Sequence, residues 1–510
     1  MFKEGWKRID HVILAIALFN IAVRLLIYDN LEYHRDELLY LSLGQHPDFG
    51  YATVPPLIGW VSWLLQHLFS NSLFAIRLFA SLLGGVMIFL VASMARELGA
   101  ARYGEILAAT GLTVSGFFMR TFFLFHPVHL EIFLWTLCLL MIIKYINTGR
   151  GSFIIYFGIA AGVALLNKYL AGLLFLGLVL IIPFTRYRNI FSKRDFWIGI
   201  IAGGLIFLPN LIWQAAHGFP VFNHISELYD TQLVHMNAGL FLTEQLFLPF
   251  AGSIFTVAGL VCLFASREVS RFRFLAFLAI FVVGALLILK GKSYYTLGVM
   301  PLLIAAGGAA YDRWFRNRIL RIAFPLAVLL IAFPGVPAGL PVWDKDGLRK
   351  YFSDLEEKYG FDFGRRFEDG SIHSLPQDYA DMTGWEELTA LADSAYSMIE
   401  DREAALIYGE NYGHAGAITI IGRKYGLPEA VSFHESFRYW FPNEFPVEIK
   451  SLVYINHELG EDVAQLFADI RLVGKISDPD AREYGASVYL CENPVTSFND
   501  FWRERTSSLR

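Results

Sequence analysis

Charge and cysteine are both scarce in this sequence. Charged residues fill 17% of its 510 positions, against roughly a quarter in soluble domains, which argues against a water-soluble globule of this length. Of three cysteines, Cys138 and Cys262 fall in apolar runs and Cys491 stands alone in the C-terminal third. An internal disulfide in that last region and a cysteine zinc cluster are therefore excluded. No repeat and no low-complexity segment is present. What abounds is apolar surface: 55% of residues are hydrophobic and mean hydropathy is positive.

A membrane span needs about 20 mostly apolar residues. About eleven candidate spans are found, near 10–28, 73–95, 104–119, 128–146, 153–167, 169–184, 197–213, 246–265, 274–289, 296–311 and 322–340. The first is expected to be a retained anchor. It follows Lys3, Lys7 and Arg8, is long for a signal peptide, and is not followed by a small-x-small cleavage pattern.

Lys and Arg in short loops set orientation. With the N-terminus cytoplasmic, the inner loops hold Lys3, Lys7, Arg8, Arg96, Arg102, Lys144, Arg150, Arg186, Arg188, Lys193, Arg194, Arg267, Arg271, Arg273, Arg313, Arg316, Arg318 and Arg321. The outer loops hold Arg35, Arg120, Lys168, Lys290 and Lys292, five against eighteen. An odd number of spans then puts residues 341–510 outside the cytoplasm. That tail carries 31 of the 47 acids and 17 of the 42 bases, and the prolines at 334, 337 and 341 mark its boundary. Short apolar runs (404–409, 451–456, 487–493) mixed with 415–426 and 461–470 predict an α/β domain with a parallel or mixed sheet. Expected are thus a transmembrane domain over 1–340 and an extracytoplasmic α/β domain over 341–510.

The five outer cations stand against the inside bias, and all are expected at one membrane face. Arg35 abuts Asp36; Arg120, Lys168, Lys290 and Lys292 lie at turns beside aromatic residues. Converging cations suit a phosphate-bearing ligand; taken singly, each also reads as a headgroup anchor. The first outer loop, 29–72, contains the adjacent acids Asp36 and Glu37, then a double proline and PPLIGWVSWLLQHLF. That apolar stretch is expected to lie in the membrane interface, with Trp60 and Trp63 at headgroup level.

HRDELLYL after the first span, then PPLIGW, then FAIRLFASLLGGVMIFLVASMAREL resemble the family 39 membrane glycosyltransferases, relatives of the protein O-mannosyltransferases and the bacterial aminoarabinose transferases of lipid A. HLEIFLW (129–135), NKYLAGLLFL (167–176), LPNLIWQAAHGFP (208–220), GKSYYTLGVMPLLIAAGG (291–308) and the tail stretch 408–442 extend the resemblance over nearly the whole chain. The resemblance implies a type C glycosyltransferase fold. It also implies transfer of a sugar from a polyprenyl-phosphate donor to a lipid, glycan or protein acceptor on the outer face. The acid of the first outer loop maps onto Asp36, with Glu37 beside it; a second acidic position maps onto Glu131; the lysine before paired tyrosines maps onto Lys292, Tyr294 and Tyr295; and Lys168 maps onto a lysine at the fifth-to-sixth-span turn. Two departures matter. The Glu-Lys pair that aminoarabinose transferases carry before the proline is replaced by Ala52, Thr53 and Val54, and the acid of the loop after HGFP by Asn223 or His224.

The chemistry asks for a base to take the acceptor proton, cations for the leaving phosphate and an apolar groove for the lipid. Because phosphate leaves readily, one carboxylate suffices, with inversion. Asp36 fits the base, Arg35, Arg120, Lys168 and Lys292 the charges, and membrane lipids the surroundings. Two duller readings compete: Asp36 and Glu37 as first-turn acids of a helix, and Glu131 as the same for the fourth span. No cofactor and no nucleic acid is expected. A divalent metal is compatible with the chemistry, but His126 and His129 read as interfacial core residues rather than ligands, and His217, His224 and His235 lack the spacing of a helical zinc pair. A transporter or flippase of lipid-linked sugars, or a non-catalytic envelope assembly protein, are the alternatives; the first should show internal symmetry, and none is seen.

Overall fold

A computed structural model of the chain describes residues 10–360, 364–367 and 370–507; Lys3, Lys7 and Arg8, counted above as cytoplasmic, lie outside them. The chain forms two compact units. One takes in Met1–Tyr28, Val54–Leu57 and Ile76–Val342, the other Asp29–Thr53, Ile58–Ala75 and Trp343–Arg510. One division falls between Val342 and Trp343. The first outer loop, counted above with the spans, instead groups with the tail.

In the first unit a helix occupies each of the eleven apolar runs. By length and composition six are able to cross a membrane: Leu73–Glu97, Pro127–Thr148, Arg194–Ala216, Ser270–Ile288, Ser293–Trp314 and Arg318–Gly339. A seventh is available if Ala238–Phe247 and Phe250–Ala265, bent by 86° at their break, count as one. The break follows from Pro249, which has no N–H to continue a helix, and from Phe250, whose φ of 50° is left-handed. Helices Ser152–Asn167 and Arg194–Ala216 meet along Gly158, Gly162, Gly199 and Gly203, where an added Cβ would run into the facing backbone. Such seams of small residues let helices approach in lipid, where no hydrophobic force drives them together. Arg24, buried in the first helix, makes its hydrogen bonds internally through its two terminal nitrogens. It donates to the Asn20 carbonyl and side-chain oxygens (both 3.2 Å) and to the Phe118 carbonyl (3.1 Å).

The second unit is built on a four-stranded mixed sheet of order β1-β2-β4-β3, with β1 Ala405–Gly409, β2 Ser451–Asn456, β3 Phe467–Lys475 and β4 Ser487–Pro494. β1 and β2 run parallel; the other two pairings are antiparallel. Helix Tyr412–Ile420 follows β1. Phe441, Phe467, Phe498 and Trp502 pack into a core on the sheet. Residues 461–470, read above as one run, divide into helix Glu461–Leu466 and the start of β3, with no glycine or proline between.

The first-loop segments belong to this unit because their hydrogen bonds end there. The Glu32 N–H donates to the Met382 carbonyl and the Arg35 N–H to the Asp381 carbonyl, both at 2.9 Å. The Glu32 carboxylate accepts from the N–H groups of Trp385 (2.7 Å) and Glu386 (3.0 Å), the first turn of helix Trp385–Ser397. Helix Leu57–Phe69 leaves Trp63, Leu64, Leu68 and Phe69 exposed while Ile58, Ser62 and Leu65 are buried. This apolar outer face is the one an interfacial helix presents to lipid.

Candidate functional site

Two clusters of the expected residues form, one in each unit. In the second unit, helix Arg35–Gln45 starts with His34 as its N-cap. His34 Nδ1 accepts from the Asp36 N–H (3.1 Å), and the Glu37 carboxylate accepts from the His34 N–H (2.9 Å). This reciprocal capping box satisfies two otherwise orphaned donors. It also separates the two acids. Glu37, 1% exposed, folds back on its own helix start, whereas Asp36 is half-buried and its carboxylate takes no part in the cap. The Tyr412 hydroxyl donates to Asp36 Oδ1 at 2.7 Å.

Tyr412 opens helix Tyr412–Ile420, capped by Asn411, whose side-chain oxygen accepts from the Gly413 (2.8 Å) and His414 (3.1 Å) N–H groups. Gly413 and Gly416 let this helix lie against Arg35–Gln45. A Cβ on Gly413 would stand 3.0 Å from Arg35 side-chain atoms, and one on Gly416 2.9 Å from the Leu38 Cβ. The Arg35 guanidinium lies 4.4 Å over the Tyr412 ring, with Nη2 3.6 Å from Glu483 Oε1. Burial works against its charge, but Tyr412, Glu483, Asp381 and Asp36 around it hold it firmly protonated. Burial first, then the Asp36 charge, pushes the Tyr412 hydroxyl well above its usual range, so it stays a neutral donor.

Asp381 closes the cluster. Its Oδ2 lies 3.3 Å from Arg482 and 3.9 Å from His34 Nε2. Burial raises its carboxyl to about 6 despite these partners. Glu483 goes the other way. Burial alone would raise it, but hydrogen bonds from His414 and His457, and the charges of His414 and Arg35, hold it well below the usual carboxylate range.

In the first unit, Glu131 lies near the start of helix Pro127–Thr148 and Lys168 directly after Ser152–Asn167. Asn167 ties the two helices by donating to the Pro127 carbonyl at 2.9 Å. Lys168 Nζ reaches Glu131 Oε2 at 3.1 Å and sits 4.5 Å over the Tyr295 ring and 5.4 Å over Tyr294. The two tyrosine rings meet edge to face, 4.8 Å apart, and Lys292 Nζ lies 6.0 Å from Tyr294. The structure thus brings together Glu131, Lys168, Lys292, Tyr294 and Tyr295. Arg120, on helix Gly116–Thr121, instead donates to the Ala338 carbonyl. Lys290 lies 5.7 Å over Tyr229.

Sequence reasoning missed Tyr412, Asp381 and Glu483. Tyr412 meets Asp36 from 376 residues away, and no spacing signals a contact of that kind.

With its helical membrane unit, this chain has the fold of the type C glycosyltransferases. It resembles ArnT from Cupriavidus metallidurans bound to undecaprenyl phosphate, with a TM-score of 0.58 at 15% identity over 94% of this chain and 97% of that one. It also resembles arabinofuranosyltransferase AftD from Mycobacteria, with a TM-score of 0.51 at 14% identity over 97% of this chain and 42% of that one. Residues 53–213 match the family described as dolichyl-phosphate-mannose-protein mannosyltransferase. The chain is 25% identical over 221 residues to the lipid A galacturonosyltransferase RgtD of Rhizobium johnstonii. That match takes in 42% of this chain and 45% of RgtD, so the chain spans under half the length of this relative.

Proposed function

We propose that the chain is an inverting glycosyltransferase that moves a sugar from a polyprenyl-phosphate donor to an acceptor hydroxyl or phosphate at the outer membrane face, a lipid A-type glycolipid being the acceptor class that the likeness to RgtD favours. The observation that carries the reading is the half-buried Asp36 carboxylate, held at one oxygen by Tyr412 while its neighbour Glu37 is committed to the helix start. Asp36 takes the acceptor proton, the acceptor oxygen attacks the anomeric carbon, and the bond from that carbon to the phosphate oxygen breaks on the opposite side. The lipid phosphate leaves with the electron pair; Lys168 and Lys292 supply positive charge for it. Tyr294 and Tyr295 hold Lys168 over their ring faces, where a cation is favoured. The five-to-eighteen distribution of loop cations supports a cytoplasmic N-terminus and an outer tail.

The test is Asp36→Asn, which keeps shape and removes basicity. Purified variant should bind polyprenyl-phosphate sugar normally while transfer falls by about 10²–10⁴-fold. Turnover at a tenth of wild type would remove Asp36 as the base and leave Glu131 as the next acid to try.

A further inference from the structure

Beyond the reaction, the second unit holds a donor set that none of the steps above uses. His414, His457 and Glu483 converge from three elements. His414 sits in the first turn of helix Tyr412–Ile420, His457 directly follows β2, and Glu483 precedes β4. His414 Nε2 lies 2.9 Å and His457 Nε2 3.0 Å from the same carboxylate oxygen, Glu483 Oε2, and the three ligand atoms are all within 4.8 Å of one another.

We propose that His414, His457 and Glu483 form a zinc-class divalent cation site with one open coordination position. Two imidazoles and one carboxylate are the donor set that suits zinc or another borderline cation, and three protein ligands leave the fourth position for water. Tetrahedral bonds of about 2.0–2.1 Å put ligand atoms about 3.3 Å apart. Moving Oε2 and the two Nε2 atoms apart by a few tenths of an ångström from their present 2.9 and 3.0 Å therefore makes room for the ion.

The surroundings hold two of the ligands in place. The N-cap bond from the His414 N–H to Asn411 fixes where the ring starts. The other Glu483 oxygen faces Arg35 Nη2 at 3.6 Å, and Asn411 Nδ2 lies 3.4 Å from both oxygens, so Oε2 stays turned towards the imidazoles. Outer partners of this kind orient a ligating carboxylate. His414 Nδ1 is buried with no hydrogen-bond partner, so nothing behind the ring locks its tautomer and Nε2 is able to present a lone pair. His414 is fully buried and Glu483 is 5% exposed, whereas His457 is exposed and gives the ion its way in. Any proton shared between the imidazoles and Oε2 must leave when the ion enters, so binding weakens as pH falls.

The site is tested by binding, which separates it from the glycosyltransferase reading. Full-length protein in detergent, stripped with EDTA, is titrated with Zn²⁺ by calorimetry and with Co²⁺ by visible absorption. One equivalent of Zn²⁺ and a tetrahedral Co²⁺ band are expected, both lost in His457→Ala, whose exposed position spares the fold, as an unchanged melting profile will show. Glu483→Gln checks the carboxylate. Should the folded wild type take up no ion, or should His457→Ala bind the same equivalent, the three residues are a proton-linked His–carboxylate group and the proposal is overturned.

Discussion

Tyr412→Phe is the sharpest probe of how the second unit serves Asp36. The substitution removes one oxygen, the donor 2.7 Å from Asp36 Oδ1. It keeps the ring on which the Arg35 guanidinium rests at 4.4 Å, so packing is little altered. A hydrogen bond to a charged acceptor contributes about 1.5–3 kcal/mol, and its loss falls on the ionised form of the carboxylate it serves. At about 1.4 kcal/mol per pH unit, the acid limb of the pH–rate profile should move up by about one to two units. The assay is donor-dependent transfer by purified protein between pH 5 and 9, with kcat/KM followed at each pH. Below the shifted limb the rate should drop about tenfold or more, and at high pH most of it should return, because Asp36 itself remains. That recovery is what a merely structural tyrosine would not give. An unmoved acid limb, whether the rate falls or not, would refute the idea that Tyr412 acts through Asp36.

Two further outcomes follow from pairs described above. Lys168→Met leaves the buried Glu131 carboxylate without its 3.1 Å partner, which should cost about 3–5 kcal/mol and abolish transfer. Adding Glu131→Gln should restore the melting temperature and not the transfer, and a double variant that regained turnover would reduce Lys168 to a structural role. Asp381 has its folded carboxyl raised from 3.8 to about 6, so its protonation favours the folded unit. The stability it contributes is complete below about pH 4 and is lost as pH rises through about 6. Asp381→Asn should therefore flatten the gain in melting temperature between pH 7.5 and 5 relative to wild type; an identical pH slope in the two proteins would show that burial does not raise this carboxyl.

What was legible in the sequence is what is local. The apolar runs announce their helices because each is a continuous stretch, and β1, β2 and β4 read clearly because each is largely buried and carries a run of apolar residues. β3 escaped because it is a mostly exposed strand at the sheet edge, entered straight from a helix without punctuation. Asp36 was found as part of a short motif. Glu37 was read beside it, with a first-turn helix acid as the competing reading; the capping box itself went unread, since it is usually announced by Ser or Thr and here the cap is His34. His414, His457 and Glu483 were invisible as a group, since His414 and Glu483 stand 69 residues apart and only the sheet topology gathers them. Lys168 and Glu131, 37 positions apart, were each found by resemblance, but their pairing was not.

The capture of the first loop by the tail has a bearing on how the protein is made. Asp36 is among the first residues synthesised after the first apolar helix, yet Met382, Asp381 and Tyr412, which receive Glu32, Arg35 and Asp36, come off the ribosome some 350 residues later. Closing so long a loop is an entropic cost that no local contact offsets in advance. Until then the N–H groups of Glu32 and Arg35 have only water to satisfy them. The nascent chain therefore carries its first outer loop without these partners until the tail is made. A chain that stops short of the tail keeps every apolar helix and still lacks the partners of Asp36; with Asp36 as the proposed base, the order of synthesis itself withholds activity from incomplete copies.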